Sequence, residues 1–148
     1  DLNHNFDAGF EQVKKLERAA GIDAPGPTRY GGHTPHSEPE TRALVNFCAA
    51  FRPRTAYAFH SQGEEIYYRY GPHTPARSQL MAQVLLPHAV TGWRRRRERL
   101  RMAGLKTGLL IVCGFTFEIG RGKNPLPIQE FEPIYARLVE TLLIATLL

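Results

Sequence analysis

The chain of 148 residues is poor in the residues that staple small folds, with two cysteines, one tryptophan and two methionines. Cys48 and Cys113 are too few for a disulfide framework and have no metal-ligand spacing between them, so both read as small buried hydrophobes. No apolar run approaches the roughly 20 residues that cross a bilayer. The tail Leu138 to Leu148 is interrupted by Glu140, Thr141 and Thr146 and reads as the end of an amphipathic helix. A basic-then-apolar leader and an initiator Met are missing as well, so no address indicates a compartment. The start at Asp1, inside what reads as a motif, leads us to expect a chain truncated at its N-terminus. With 43% apolar and 22% charged residues, the length suits one domain with a sizeable core, and disorder and collagen are excluded.

The net charge of +5 would ordinarily point to an anionic partner. Its distribution argues otherwise. Arg94 to Arg101 holds six Arg and one Glu and so carries the whole excess, while elsewhere the two signs balance.

Along the chain, Asp1 to Phe10 is Asn-rich and suits a turn after a strand. Phe10, Val13, Leu16 and Ala20 keep a loose helical spacing, and Gly21 would stop that helix. Gly21 to Pro35 is a Gly- and Pro-rich loop. Ser37-x-x-Glu40 with Pro39 in the first turn predicts a capping box and a helix to about Phe51. Its stripe Leu44, Phe47, Cys48 and Phe51 reads as a core face. Thr55 to His60 has strand length, Ser61 to Gly63 is a turn, and Ile66, Tyr67, Tyr68 and Tyr70 suggest an extended segment. Ser78 to Leu86 would suit a helix. Gly108 to Glu118 reads as a strand buried on both faces, Gly120 to Pro127 as a loop, and Gln129 to Leu148 as a closing helix with Phe131, Ile134, Tyr135, Leu138 and Leu142 on one side. Helices alternating with buried strands predict α/β layers.

Three places bring polar or titratable groups to strand ends, where an α/β sheet builds its sites: Asn3 with His4, His60, and Glu118. A histidine at a strand end is either a ligand or an ordinary structural or surface residue. A glutamate closing the run Phe115-Thr116-Phe117 would be desolvated, which raises its pKa toward the range of a general base; the alternative is an ion-pair or helix-dipole partner.

In order and spacing, Asp1-Leu2-Asn3-His4-Asn5-Phe6-Asp7-Ala8-Gly9-Phe10, Ala58-Phe59-His60-Ser61 and Phe115-Thr116-Phe117-Glu118-Ile119-Gly120-Arg121-Gly122 resemble the zinc carboxypeptidase (M14) family. The block Phe115 to Phe131, with Asn124-Pro125-Leu126-Pro127, resembles most the bacterial branch that cleaves γ-D-glutamyl to diamino acid bonds in peptidoglycan stem peptides. The resemblance covers nearly the whole chain apart from residues 87 to about 110, and corresponds to the C-terminal half of that catalytic domain. It implies a mixed sheet with helices on both faces, truncated at the N-terminus, and hydrolysis of a peptide bond by zinc-promoted water. By that likeness His60 matches the third zinc ligand of a two-His, one-Glu site, and Glu118 the general base and acid. Asn3 matches a residue that helps hold the substrate's terminal carboxylate. At the next position many relatives have Arg where this chain has His4, and an imidazole cannot present a guanidinium's fork. The substrate expected is a peptide or a peptidoglycan stem peptide, with no nucleic acid partner; action on peptidoglycan would place the parent outside the cell or at the wall.

Two family features are missing from the sequence. The first two zinc ligands come from a His-x-x-Glu motif that occurs nowhere in this chain, and His33-Thr34-Pro35-His36 lies in a Pro-rich loop. One histidine does not hold zinc at useful affinity, so this chain alone is expected to be inactive. The family also has a mobile Tyr before the catalytic Glu, yet no Tyr lies between Tyr70 and Tyr135. That gap overlaps residues 87 to 110, where Gly104-Leu105-Lys106-Thr107-Gly108-Leu109 stands in place of the family's Gly-Leu-Lys-Asp-Trp-Phe. Codons exist for which a one-base shift converts one into the other, so we expect this stretch to be out of frame, the frame recovering near Leu110. The arginine run then has two competing readings: a non-catalytic module that binds an anionic polymer through Arg94 to Arg101, and a solvated charged helix face. An inactive peptidase remnant is the third alternative for the whole chain.

Overall fold

The computed structural model describes residues 1–69, 74–88, 94–96 and 113–148. They fall into two compact units, the first being Asp1–Arg54 in its described part and the second drawn from Thr55–Glu98 and Cys113–Leu148. Tyr70, most of the arginine run and the whole Gly104 to Leu109 stretch lie outside the described residues.

In the first unit, a single 3-10 turn, Leu2–His4, is capped by the Asp1 side chain accepting from the Asn3 amide. Helix α1 (Phe10–Ala19) follows the expected span, and Gly21 leaves it at φ 69°, the left-handed conformation that favours glycine. Helix α2 (Pro39–Phe51) has its Pro in the first turn as predicted. The capping box does not form. Glu38 is the N-cap and has no side-chain cap bond, because the Ser37 hydroxyl is committed elsewhere: it accepts from Asn5 and donates to Glu38. The stripe expected to be core is also corrected. Cys48 is buried with Thr41, whereas Leu44, Phe47 and Phe51 are exposed, the last two stacking on each other at 5.3 Å.

The second unit is a four-stranded sheet in the order β1-β4-β2-β3, built from β1 (Thr55–Ser61), β2 (Glu65–Tyr67), β3 (Arg94–Arg96) and β4 (Cys113–Ile119). β1 runs parallel to β4, β2 antiparallel to β4, and β3 parallel to β2, so the sheet is mixed, as the α/β reading implies. The first three residues of the arginine run thus pair as a strand with Glu65–Tyr67, which corrects the helix-face reading for them.

Strand alternation sorts this sheet into two chemically distinct faces. Tyr57, Phe59, Phe115 and Phe117 share one of them, with Tyr57 stacked on Phe115 at 5.6 Å and Phe59 on Phe117 at 5.2 Å. Ile66, Phe115 and Phe117 are fully buried there with Met81, Ala82 and Leu85 of helix α3 (Ala76–His88). Removing each such phenylalanine from water stabilises the fold by about 1.5–3 kcal/mol. Helix α4 (Phe131–Ala145) packs on α3 and lends Ile144 and Ala145 to the same core. On α4 the buried residues are Ile134, Leu138 and Thr141, while Phe131 and Tyr135, expected inside, are 57% and 48% exposed.

Candidate active site

The opposite face of the same sheet carries the titratable groups. Because β1 and β4 are parallel, both reach their carboxyl ends at the same edge, and the register sets His60 beside Glu118. Residues directly opposite on neighbouring strands project to the same face. β2 then returns antiparallel on the other side of β4 and sets Glu65 opposite Glu118. An imidazole and two carboxylates therefore line up across three strands, with Glu118 in the middle.

The turn from β1 to β2 is fastened around this row. The Gly63 amide donates to the Gly120 carbonyl at 3.0 Å, and Asn124 Nδ2 donates to the Ser61 carbonyl at 2.7 Å. Buried Glu64 pairs with Arg121 and, at 3.5 Å, with Arg137. A Cβ at position 63 would lie 3.2 Å from the Glu118 Cβ, so glycine there lets the turn close over the catalytic candidate. Tyr67 donates its hydroxyl to Glu65 Oε2 at 2.5 Å, which orients that carboxylate.

Burial raises the Glu118 carboxyl above the usual carboxylate range, and the neighbouring Glu65 charge pushes it in the same direction. A folded pKa raised above the unfolded one gives stability that is full at low pH and is lost as pH rises through the folded value. Glu118→Gln removes that loss. The expected outcome is a variant with a higher melting temperature than the parent chain at pH 8, the difference vanishing at pH 3; an equal difference at both values, in thermal melts followed by circular dichroism, would contradict it.

Asn3 and His4 belong to the first unit, on the 3-10 turn. The His4 ring is engaged through Nδ1, which donates to the Arg29 carbonyl at 2.5 Å and lies 3.4 Å from Glu17 Oε1. Two residues of this unit that sequence reasoning missed hold the turn. Glu17 is buried and accepts from the Gly31 amide at 2.9 Å and from Lys14 Nζ at 2.6 Å. Lys14 lies 4.4 Å above the Tyr30 ring as well. Fully buried Asn5 donates through Nδ2 to the carbonyls of Gly31 at 2.6 Å and Thr34 at 3.2 Å and to the Ser37 hydroxyl at 2.8 Å. Its Oδ1 accepts from the Glu38 amide at 3.2 Å. An Asn directly after the two candidate residues was the only hint available in the sequence.

The donor set for a metal is incomplete. Among the described residues no group of three or more His, Cys, Asp or Glu side chains is arranged to hold an ion. A catalytic zinc needs three protein ligands, and His60 is a single candidate, so this chain's own described residues do not fit the ion by themselves.

A family model described as zinc carboxypeptidase (Peptidase M14) matches residues 1–104, which include His60 and stop short of Glu118. The γ-D-glutamyl-L-diamino acid endopeptidase 1 of Lysinibacillus sphaericus is 36% identical over 138 residues, covering 91% of this chain and 33% of the relative. The uncharacterized protein YqgT of Bacillus subtilis (strain 168) is 30% identical over 138 residues, covering 91% of this chain and 36% of that protein. The chain thus spans about a third of the length of these curated relatives. Among solved structures, the carboxypeptidase A of Helicoverpa armigera superposes with a TM-score of 0.64 at 17% identity, over 99% of this chain and 41% of that one.

Proposed function

Since this chain belongs to the zinc carboxypeptidase family, we propose that it supplies the acid–base carboxylate, Glu118, and one metal-ligand imidazole, His60, of a domain that hydrolyses peptide-type amide bonds. The observation that carries this reading is the β1–β4 register, which makes His60 and Glu118 lateral neighbours although 57 residues separate them in sequence. In the family the bound metal supplies Lewis-acid activation of water; this chain's part in the chemistry is the movement of the proton.

Glu118 suits that task. A carboxylate held above its ordinary pKa is a better proton acceptor than a solvated one. It takes a proton from the attacking water and delivers it to the leaving nitrogen, so the amine departs neutral. Glu65, steadied by Tyr67, keeps negative charge beside it and favours the protonated form between the two steps. Asn3 and His4 are the proposed substrate contacts.

The substrate we propose is the γ-D-glutamyl to diamino acid bond of peptidoglycan stem peptides, which the Lysinibacillus relative carries in its name. His4 supports an unusual substrate over a generic protein C-terminus. Its Nδ1 is held by Arg29 and faces Glu17, which leaves one ring nitrogen and no bidentate fork for a terminal carboxylate.

Zinc stoichiometry tests the assignment of His60. When the chain is joined to the remaining portion of the domain with its His-x-x-Glu ligands, we expect one zinc per molecule after dialysis, and His60→Ala should lower metal affinity at least tenfold. Undiminished zinc binding in that variant, measured by metal analysis of the dialysed protein, would remove His60 from the site.

A further inference from the structure

Glu17 is a charge where a globular domain rarely leaves one. It lies near the end of α1 with 3% of its surface exposed, and a carboxylate is seldom buried unless it is paired. A buried ion pair is a poor source of stability, because apolar residues of similar volume often serve as well or better. What such a group can do is hold a geometry. Oε2 of Glu17 takes Lys14 Nζ at 2.6 Å, and Oε1 takes the Gly31 amide at 2.9 Å and lies 3.4 Å from His4 Nδ1.

The segment that Glu17 holds, Arg29 to Gly32, in turn holds His4. The Arg29 amide donates to Asp1 Oδ2 at 3.1 Å, the Gly31 carbonyl accepts from Asn5, and the Gly32 carbonyl accepts from Lys14 Nζ at 3.0 Å. The approach is so close that a Cβ on Gly31 would fall 2.7 Å from the His4 carbonyl oxygen and 2.9 Å from the His4 Cβ. Pinned in this way, the segment sets the Arg29 carbonyl on His4 Nδ1 at 2.5 Å. A carbonyl oxygen only accepts, so the hydrogen of that bond belongs to Nδ1, and in the neutral ring Nε2 carries a lone pair. The His4 side chain is 20% exposed and lines a cleft of about 490 Å³ with Glu17, Arg29 and the apolar Val13 and Leu16, so a ligand can reach it.

We propose that Glu17 is a positioning residue for the substrate contact at His4: through Gly31 and Lys14 it fixes the Arg29 carbonyl, which keeps the imidazole in one tautomer and offers Nε2 as a hydrogen-bond acceptor. The proposal rests on the function given above only in calling the ligand a substrate. A lone pair takes an N–H and repels a carboxylate. A peptide that continues past the diamino acid, or ends in a carboxamide, brings an N–H to this point, whereas a free C-terminus brings a carboxylate. His4 held by Glu17 therefore selects against a free chain end.

The experiment has two arms. Long-range proton–nitrogen NMR of the 148-residue chain, at a pH where the ring is neutral, reads the His4 tautomer directly. We expect the proton on Nδ1 alone in the parent and a mixture of both tautomers in Glu17→Gln, with the circular dichroism spectrum unchanged. The second arm compares two γ-D-glutamyl-L-lysine peptides, one with a terminal carboxamide and one with a free carboxylate, as substrates of the chain joined to the remaining portion of the domain. The carboxamide should have a KM about tenfold lower, the scale of one hydrogen bond gained against one repelled, and Glu17→Gln should bring the two within about twofold of each other. A general loosening of the first unit would weaken both peptides alike and keep their ratio. A parent ring protonated on Nε2, a tautomer indifferent to Glu17→Gln, or a parent that favours the free acid would each overturn the proposal. Should Glu17→Gln not fold, the parent's tautomer and its ratio of the two KM values still decide. If neither peptide is cleaved, the proposed activity fails, and the NMR arm alone decides whether Glu17 holds the ring.

Discussion

Glu118→Gln is expected to cut turnover of the complete domain about 10²- to 10⁴-fold, the usual contribution of a positioned acid–base group, while leaving bound zinc unchanged. Glutamine keeps the shape of the side chain and the β4 backbone that presents it, and removes only the capacity to accept a proton. The row His60, Glu118, Glu65 makes the result specific. If Glu118 moves the proton, loss of turnover should appear mainly in kcat, because the substrate contacts proposed for Asn3 and His4 are untouched. Glu65→Gln should act differently. It relieves the charge that helps to raise the Glu118 carboxyl, so the acidic limb of the pH–rate profile should move to lower pH while the Glu118 side chain stays in place. Kinetics of a Glu118→Gln enzyme at wild-type rate, with zinc present, would transfer the acid–base role to another residue.

The second large effect is on stability. Asn5→Ala should destabilise the first unit by about 3 kcal/mol, since it strips the buried Gly31 carbonyl and the partly buried Thr34 carbonyl and Glu38 amide of their partner. Asn5→Asp is the sharper probe. Aspartate has nearly the same shape and keeps the acceptor for Glu38, yet it has no N–H for the two carbonyls or for the Ser37 hydroxyl and would bury a charge among acceptors. We therefore expect Asp to be at least as damaging as Ala in urea unfolding followed by far-ultraviolet circular dichroism. An Asp variant as stable as the parent would mean that Asn5 packs but does not hold the loop. Because Asn5 directly follows Asn3 and His4, the same substitutions should loosen the turn that carries both.

How far the sequence could be read depended on the range of the interactions involved. Helix spans came from local signals. Gly21 after α1 and Pro39 in the first turn of α2 act within a few residues, and both did what their chemistry predicts. The faces of those helices were less legible. Leu44, Phe47 and Phe51 have the spacing of a core stripe, but spacing states only that a face is apolar and not that something covers it. The capping box failed for a related reason: the Ser37 hydroxyl had a competing partner 32 residues away in Asn5, and the buried amide prevailed.

The amino-acid order by itself determined which residues could do chemistry. His60 and Glu118 stood out because each ends a strand-like apolar run, and their motifs carried the family resemblance. Only the tertiary structure decided what they meet. Parallel pairing of β1 with β4 brings the imidazole beside the carboxylate, and the antiparallel return of β2 adds Glu65, a residue with no local mark of function. Strand register is fixed by hydrogen bonds and packed side chains between segments far apart in the chain, so a pattern read along one segment does not contain it.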